Sequence, residues 1–342
     1  MNQTPCRSSI LHSNINRPSK VFKSIYFALY AHYYSYLKSG YLSSLVGQEI
    51  NPRKVEVFDS TTITLFQEVF KGCGRLPGNG RKKGRVKAFT KITLAERVPN
   101  YVVLTDASTS ERDFLDELPL SRGTIGVFDK GFHKYEQYDA WDKAGVYYLT
   151  RANQNACFEI LGHLDVSDIQ EDGVQSDMRV KLSYTDKQGV KQHIQSRMVS
   201  YIDLVSKKKL VFLTNLPESV SANTICMLYK NRWTIEPLFK QIKQNFELTY
   251  FLSDSKEGIQ TQIWVALILN LIFTVIHKQI KEAISFISMV TLYANNANAY
   301  LNIYKIIKEY ELWIEIAKRD IENIQLCIFD KISQPSDRKT PT

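Results

Sequence analysis

The sequence predicts an α/β fold in which helices flank a mixed sheet, and three observations lead to it. Between residues 54 and 152, strand-length apolar runs and amphipathic segments follow the order β-β-β-α-β-α-β. Residues 156–220 alternate polar and apolar side chains, which predicts a β-rich segment. From Ser221 to about residue 328 the pattern is helical. Three hairpin-joined strands followed by α/β alternation imply a mixed sheet covered by helices.

Local patterning places the individual elements. The predicted strands are "KVEVFDST" (54–61), "RVKAFTKITLAE" (85–96), "YVVLTDAS" (101–108), "TIGVFDKG" (124–131) and "VYYLTRA" (146–152). The predicted helices between them are "ERDFLDEL" (111–118) and "HKYEQYDAWDKAG" (133–145). Upstream, apolar and aromatic side chains at helical spacing between Pro18 and Gly40 predict an amphipathic helix.

Composition narrows the functional classes. The 342 residues carry a net charge of +9, which favours a polyanionic partner such as nucleic acid. The five cysteines are scattered without a C-x-x-C pair, so we expect neither disulfides nor structural zinc, and a reducing cytosol fits best. The longest apolar run, residues 263–276, has 14 residues where a membrane span needs about 20, so we expect a core helix and no membrane. Without a P-loop or G-x-G-x-x-G, no nucleotide cofactor is expected.

Two aspartates stand at the ends of predicted apolar strands. Asp59 follows "VEVF" and Asp129 follows "IGVF", which places both at the carboxyl edge of the sheet, where α/β folds build their sites. A carboxylate beside a buried strand is costly unless it is paired or binds a cation. For each aspartate alone, a turn-capping role is the plainer interpretation. Asp106, in "LTDAS", is the reserve candidate if Asp129 is wrong.

The segment "LYKNRWTIEPLFKQIKQNFEL" (228–248) carries an unusual polar face. On an ideal helix with about 100° per residue, four of its side chains fall within an arc of about 60°. They are Tyr229, Arg232, Glu236 and Lys243. Three of them can donate to a phosphate and the fourth is a carboxylate, so this face is neither a core face nor an ordinary solvated one.

The same segment also contains apolar residues that can anchor the helix and a proline that can interrupt it. The expected apolar anchor on the opposite side is Trp233, Leu238, Phe239 and Ile242. Pro237 cannot donate its backbone hydrogen bond inside a helix. We therefore expect the helix either to begin near Thr234 or to kink there.

A glycine-rich basic loop precedes the second strand. It reads "GNGRKKGRVK" (78–87), and its candidate DNA contacts are Arg81, Lys82, Lys83, Arg85 and Lys87. A solvated hairpin tip and a DNA phosphate contact are both open interpretations of this loop.

These motifs together resemble the IS4 family of bacterial DDE transposases. The family signature Y-x2-R-x3-E-x6-K appears here as Tyr229, Arg232, Glu236 and Lys243. Flanking motifs occur in the family's order, namely "FDSTTITLF", "VFDKGFHKYEQY", "YYLTRANQN", "KLVFLTN" and, after the signature, "QTQIWVALI". The resemblance covers roughly residues 14–330.

The resemblance implies a ribonuclease-H-like fold of the retroviral integrase superfamily, with a β-rich insertion subdomain. It makes Asp59, Asp129 and Glu236 the catalytic DDE triad and the ligands of two Mg²⁺ ions, with Mn²⁺ able to substitute. Their carboxylates are then expected to converge on two metals about 3.5 to 4 Å apart. It makes Tyr229, Arg232 and Lys243 binders of a DNA phosphate near the cut. The implied activity is cleavage and strand transfer at insertion-sequence ends.

The resemblance also sets expectations for organisation and partners. The expected segments are an N-terminal helical segment (1–48), a catalytic domain in two parts (49–155 and 221–330), the insertion (156–220) and a polar tail (331–342). The expected partners are double-stranded transposon-end and target DNA and a second copy of the chain on that DNA, in the bacterial cytoplasm at the nucleoid. Family members commonly carry a further helical region ahead of residue 14, so the chain is expected to be either truncated at its N-terminus or naturally short. A transposition-defective DNA-binding remnant and a Mg²⁺-dependent nuclease on the same core therefore stay open as alternatives.

Overall fold

A computed structural model supplies the three-dimensional structure of most of the chain. It describes residues 9, 18–38, 49–64, 85–96, 98–153, 155–167, 172–246, 248, 251, 253, 255–279 and 285–296. The candidate DNA contacts Arg81, Lys82 and Lys83 lie outside the described residues, as does the predicted tail.

The described elements follow the predicted order. The strands are β1 (Val55–Thr64), β2 (Arg85–Thr93), β3 (Pro99–Asp106), β4 (Ile125–Val127), β5 (Tyr147–Arg151), β6 (Phe158–Leu164), β7 (Val174–Thr185), β8 (Lys191–Ile202) and β9 (Lys209–Thr214). The helices are α1 (Ser19–Lys38), α2 (Glu111–Phe114), α3 (Tyr135–Lys143), α4 (Ala222–Lys230), α5 (Ile235–Asn245), α6 (Lys256–Gln279) and α7 (Phe286–Asn296).

All nine described strands form one mixed sheet, which confirms the predicted fold class. Their order is β3-β2-β1-β4-β5-β9-β8-β7-β6. Strands β1, β4 and β5 are parallel to one another, and the remaining neighbours pair antiparallel. Parallel neighbours need crossover connections, which α2 and α3 supply within the segments that join them. This arrangement fits the ribonuclease-H-like core that the resemblance implies.

The β-rich segment continues this sheet from its β5 side. Strand β9 returns to pair with β5, and β8, β7 and β6 extend the sheet outward by successive antiparallel pairing.

The contacts between residues divide the chain into two compact units, Met1–Ile272 and Phe273–Thr342. In the second unit the rings of Phe273 and Tyr293 pack edge to face at 5.2 Å. The division into five sequence segments stays a prediction.

Aromatic packing supports the edge of the sheet where the candidate aspartates lie. Phe58 and Phe128 are fully buried and stack with ring centroids 4.5 Å apart. Phe132 and Trp141 pack edge-on against Phe58. Burying one such ring contributes about 1.5–3 kcal/mol. Because Phe58 and Phe128 directly precede Asp59 and Asp129, this cluster fixes the backbone beneath both carboxylates.

Helix α6 is the one described helix with the length and apolar composition of a membrane span. Its Trp264 packs against the rings of Tyr26 and Phe27 on α1. Tyr26 is itself fully buried and donates a 2.6 Å hydrogen bond to the carbonyl of Pro99. These are the contacts of a core helix, as the sequence predicts.

Strand β1 is longer than predicted. Its parallel pairing with β4 stops at Val57, but its antiparallel pairing with β2 continues to Thr64. Antiparallel pairing with β2 therefore continues the strand past Asp59, and the prediction that Asp59 ends the strand is wrong. Asp129 does follow the last residue of β4 by two positions.

The signature segment is broken at the predicted place. Helix α4 ends at Lys230, a 3₁₀ turn spans Asn231–Thr234, and α5 begins at Ile235. Pro237 then lies in the first turn of α5, where its missing N–H costs nothing. Leu238, Phe239 and Ile242 are buried as predicted. Trp233 is 52% exposed, so its prediction as an anchor is wrong; it sits in the 3₁₀ turn, where ideal α-helical geometry no longer holds.

Candidate active site

The register of two parallel strands brings Asp59 and Asp129 side by side. Val55 pairs with Ile125 and Val57 with Val127, and each aspartate lies two residues further along its own chain. Asp59 accepts a hydrogen bond from the Ser60 amide at 2.8 Å. Pairing with β2 holds the backbone of Asp59 within β1, while Asp129 lies two residues past β4, where the Phe128 amide still donates to the Leu149 carbonyl at 3.1 Å.

Arg232 links Asp59 to Glu236. Its Nη1 donates to Asp59 Oδ2 at 2.9 Å, and its Nη2 donates to Glu236 Oε1 at 3.2 Å. The Arg232 side chain is 7% exposed, against 17% for Asp59 and 59% for Glu236. The structure thus brings together the strand carboxylate and the helix carboxylate that the sequence predicts, with a buried guanidinium between them.

Asp129 has its own set of donors. Arg151 donates to Asp129 Oδ1 through Nε at 3.2 Å and Nη2 at 3.0 Å, and Tyr229 Oη donates to the same oxygen at 3.1 Å. Arg151 lies within the motif "YYLTRANQN" but is not among the site residues that the sequence predicts. The available signal was its position at the carboxyl end of β5, the strand beside β4.

Lys243 lies on the same side as the rest of the signature. Its Nζ donates to Thr61 Oγ1 at 2.6 Å and to the Thr62 carbonyl at 2.9 Å. Thr61 and Thr62 follow Asp59 on β1. The four signature side chains therefore all face the β1–β4 edge, although the 3₁₀ turn interrupts the helix that the prediction assumed.

Glu111, on the short helix α2, is a fourth carboxylate at this edge that sequence reasoning missed. It accepts a 2.6 Å hydrogen bond from Ser60 Oγ, next to Asp59. A Cβ atom added at Gly131 would overlap its other oxygen, so Glu111 also fills the space over the turn that follows Asp129. Ser110 caps this helix by accepting from the Arg112 amide. One side chain thus touches both aspartate-bearing segments.

The described basic residues at the start of β2 differ in exposure. Arg85 is exposed at the first position of the strand. Lys87 is largely buried, donates to the Thr109 carbonyl at 2.9 Å and lies 3.9 Å from Glu111. Their DNA contacts stay a prediction. The reserve candidate Asp106 pairs with Val86 at the far end of β3, two strands away from β1.

The environment drives the pKa values of the two aspartates apart. Burial raises the pKa of Asp59 to about 6; Arg232 and the Ser60 amide oppose this, and the nearby Asp129 and Glu111 charges add to it. Burial also acts on Asp129, but Arg151, the Lys130 amide, Arg232 and Tyr229 outweigh it and hold the pKa of that carboxyl below its ordinary value. Paired carboxylates with opposed pKa shifts are typical of functional sites.

The donor set fits a divalent cation in its chemistry. Asp59, Asp129 and Glu236 offer the hard oxygen ligands that Mg²⁺ prefers. Among the described residues, no three Asp, Glu, His or Cys side chains are grouped closely enough to hold a metal ion, so the described arrangement does not show the expected convergence of the three carboxylates on two metals. In the described arrangement the cation between Asp59 and Glu236 is the Arg232 guanidinium, whose buried Nε has no hydrogen-bond partner.

The fold and the site first define a class. An α/β domain that gathers carboxylates and side chains able to donate to a phosphate at the carboxyl edge of its parallel strands has the parts of a phosphoryl-transfer enzyme. Residues 51–271 match the family model described as "Transposase DDE domain", which is more than half of the chain. The chain therefore belongs to the DDE transposase domain family. Such domains generally use divalent metal ions and act on DNA.

Relatives with transposase names agree with this membership. The protein y4zB of Sinorhizobium fredii is 26% identical over 267 residues, covering 78% of this chain and 70% of that protein. The transposase-named protein of insertion sequence element IS5377 from Geobacillus stearothermophilus is 25% identical, covering 70% of this chain and 62% of its own length. That of element IS4SA from Synechocystis is 26% identical, with 66% and 61% covered. Assignment to the IS4 family itself stays a prediction.

Among solved structures, the cryo-EM structure of the piggyBac transposase synaptic complex with hairpin DNA resembles this chain. The TM-score is 0.40 at 11% sequence identity, over 85% of this chain and 60% of that one.

Proposed function

We propose that this chain catalyses metal-dependent cleavage and strand transfer on DNA at insertion-sequence ends, as a cut-and-paste transposase. The observation that carries the proposal is the convergence of Asp59 and Glu236 on Arg232 beside Asp129, at the carboxyl edge of the sheet. Membership in the DDE transposase domain family supports the reaction class. The +9 net charge supports a polyanionic substrate.

Asp59, Asp129 and Glu236 would hold the metal, with two Mg²⁺ ions as the proposed occupants and Mn²⁺ as a substitute. When bound, such ions lower the pKa of an attacking hydroxyl and stabilise the charge on the leaving oxygen. Asp129 would enter this role already ionised, because its neighbours hold its pKa low. Asp59 would have to release a proton near pH 6 to do so.

Tyr229, Arg232 and Lys243 would orient a DNA phosphate at this edge. Their present acceptors are Asp129, Asp59 with Glu236, and two β1 threonines. A bound cation among the carboxylates would compete with Arg232 for Asp59 and Glu236. The guanidinium would then be available for the phosphate, where its planar fork binds two oxygens. This ties the proposed metal and phosphate roles to one side chain.

The proposed partners are double-stranded transposon-end and target DNA, with a second copy of the chain assembled on the DNA. The proposed location is the bacterial cytoplasm, at the nucleoid. These follow from the family resemblance and the net charge.

A nicking assay tests the proposed function. Supercoiled plasmid carrying the element's ends is incubated with wild type, Asp59→Asn, Glu236→Gln and the matched control Asp106→Asn, with Mg²⁺ or EDTA. We expect nicking by wild type and Asp106→Asn only, and only with Mg²⁺. If neither wild type nor any variant nicks the plasmid, the alternative of a DNA-binding remnant is favoured. Cleavage without any joined product would favour a nuclease on the same core.

A further inference from the structure

The turn between β8 and β9 carries three consecutive exposed lysines. We call residues 203–209 the lysine turn. Lys207, Lys208 and Lys209 all project into solvent. Within the part of the chain that the structure describes, no carboxylate lies within 4 Å of any of their ammonium groups, whereas Lys230 nearby has an acidic partner. The lysine turn therefore presents unneutralised positive charge.

Local hydrogen bonds hold the backbone of the lysine turn. Asp203 Oδ1 accepts from the amides of Val205 at 3.2 Å and Ser206 at 2.7 Å. The Lys207 amide donates to the Asp203 carbonyl at 2.8 Å, and the Asp203 amide donates to the Lys208 carbonyl at 3.0 Å. Lys207 takes a φ of 56°, in the left-handed region. The lysines thus stand on a defined turn rather than on a loose loop.

The lysine turn is also tied to the helix that carries the signature. Lys230 Nζ donates to Tyr201 Oη at 2.6 Å and lies 3.3 Å from Asp203 Oδ2. Lys230 is the last residue of α4 and directly follows Tyr229, which bonds to Asp129. The contacts of Lys230 with Tyr201 and Asp203 therefore connect the lysine turn to the helix whose next-to-last residue, Tyr229, reaches the candidate active site.

Strand register places the lysine turn beyond the carboxyl edge of the sheet. Arg151, the Asp129 partner, pairs with Phe212 on β9. Lys209 lies three residues further in the outward direction, roughly 10 Å at 3.3 Å per residue. A cavity of about 500 Å³ joins the two positions, with Lys130, Arg151 and Lys209 among its lining residues. Positive side chains thus continue from the site to the lysine turn.

We propose that the lysine turn, with Lys130 at the cavity between it and the site, binds the phosphate backbone of the DNA duplex that adjoins the cleaved bond. The proposal rests on the proposed function. Duplex DNA presents one phosphate per 3.4 Å on each strand, so 10 Å corresponds to roughly three base pairs from the cut. Unpaired lysines on a held turn neutralise phosphates without reading sequence, and they fix the position of the duplex.

Equilibrium binding in EDTA tests the proposal apart from chemistry. The probe is a fluorescein-labelled 40-base-pair duplex with a single nick, titrated between 50 and 200 mM salt. Each neutralised phosphate contributes about 0.9 to the slope of log affinity against log salt. Lys207→Gln/Lys208→Gln should lower that slope by about 1.8 and weaken binding at least about fivefold at 100 mM salt. The matched control is Lys187→Gln/Lys191→Gln, at the turn on the other end of β8.

Two outcomes overturn the inference. The first is that Lys207→Gln/Lys208→Gln binds the duplex with the same affinity and the same salt slope as wild type. The second is that the matched control loses as much affinity and slope as this variant. In the Mg²⁺ nicking assay the same variant should raise KM for plasmid while kcat stays within about twofold of wild type. If wild type binds the duplex through these lysines but never nicks, the proposed function fails and the DNA contact stands.

Discussion

At the residue scale, the positive charge of Arg232 offsets the repulsion between the acidic side chains around it. It donates to Asp59 and Glu236, and its charge also helps hold the pKa of Asp129 low. Its burial makes the pairing consequential, because a buried charge that loses its partner is strongly destabilising.

Arg232→Ala should therefore lower the free energy of unfolding by about 2–4 kcal/mol in EDTA. Mg²⁺ should restore more stability to this variant than to wild type, because the ion supplies the missing positive charge between the carboxylates. Urea unfolding at several Mg²⁺ concentrations measures both effects. The control is Arg122→Ala, an exposed arginine for which no such rescue is expected. Equal Mg²⁺ stabilisation of wild type and Arg232→Ala would contradict the assignment.

The pKa of Asp59, raised by burial to about 6, sets a pH dependence. The native state then binds more protons than the unfolded state between about pH 4 and 6, so this group makes the metal-free protein more stable as pH falls through that window. The cation needs the ionised form, so apparent Mg²⁺ affinity should fall about tenfold per unit below pH 6. Nicking rates from pH 5 to 8 at two Mg²⁺ concentrations check this: higher Mg²⁺ should move the midpoint to lower pH. A midpoint independent of Mg²⁺ would refute it.

Glu111 also affects the Asp59 carboxylate, because its nearby negative charge raises the pKa of Asp59. Glu111→Gln keeps an acceptor for Ser60 but removes a negative charge that raises the pKa of Asp59, so the pH midpoint of nicking should move down. Glu111→Ala also loses the hydrogen bond, which contributes about 1 kcal/mol, and should slow nicking at pH 8 by several-fold. Asp113→Asn, an exposed change on the same short helix, is the control. Identical pH profiles for wild type and Glu111→Gln would count against this role.

At the element scale, the carboxyl edge depends on the aromatic layer under it. Phe128→Ala should reduce stability by about 3–5 kcal/mol, because the ring is fully buried among other aromatic rings. It should also reduce nicking in the folded fraction, since Phe128 precedes Asp129. Thermal unfolding and single-turnover nicking below the transition measure the two effects separately. Phe158→Ala, at an exposed position on β6, should change stability by less than about 1 kcal/mol.

The elements themselves were largely predictable, and the exceptions have physical causes. Period-2 and period-3.6 patterning located β1 to β5 and the helices between them, because each buries one face. The end of β1 was missed because its length depends on pairing with β2, which the β1 residues alone do not report. The prediction for Trp233 fails because it rests on one ideal helix, whereas this segment contains a 3₁₀ turn.

At the scale of the whole molecule, the three candidate carboxylates could be identified from the sequence, whereas the side chains around them could not. Asp59, Asp129 and Glu236 carry local motifs, so their resemblance to a family could be read residue by residue. Arg151 and Glu111 reach the site through contacts 22 and 51 residues away along the chain. Such contacts exist only once β1, β4 and β5 are ordered side by side. Sheet order, rather than local pattern, is what assigns these two side chains to the site.

The same order makes the three carboxylates unequal in freedom. Asp59 lies on β1 and Asp129 lies two residues past the end of the adjacent strand β4, each directly after a ring of the stacked Phe58–Phe128 pair, so the fold limits how far the two backbones can move apart. Glu236 is 59% exposed on a helix that starts afresh after a 3₁₀ turn. The proposed reaction first cuts and then joins, so the proposed cations would have to adjust as the attacking and leaving oxygens exchange roles. In that proposal Glu236 would be the ligand that moves, because the backbones that carry Asp59 and Asp129 are held together by strand pairing and ring packing.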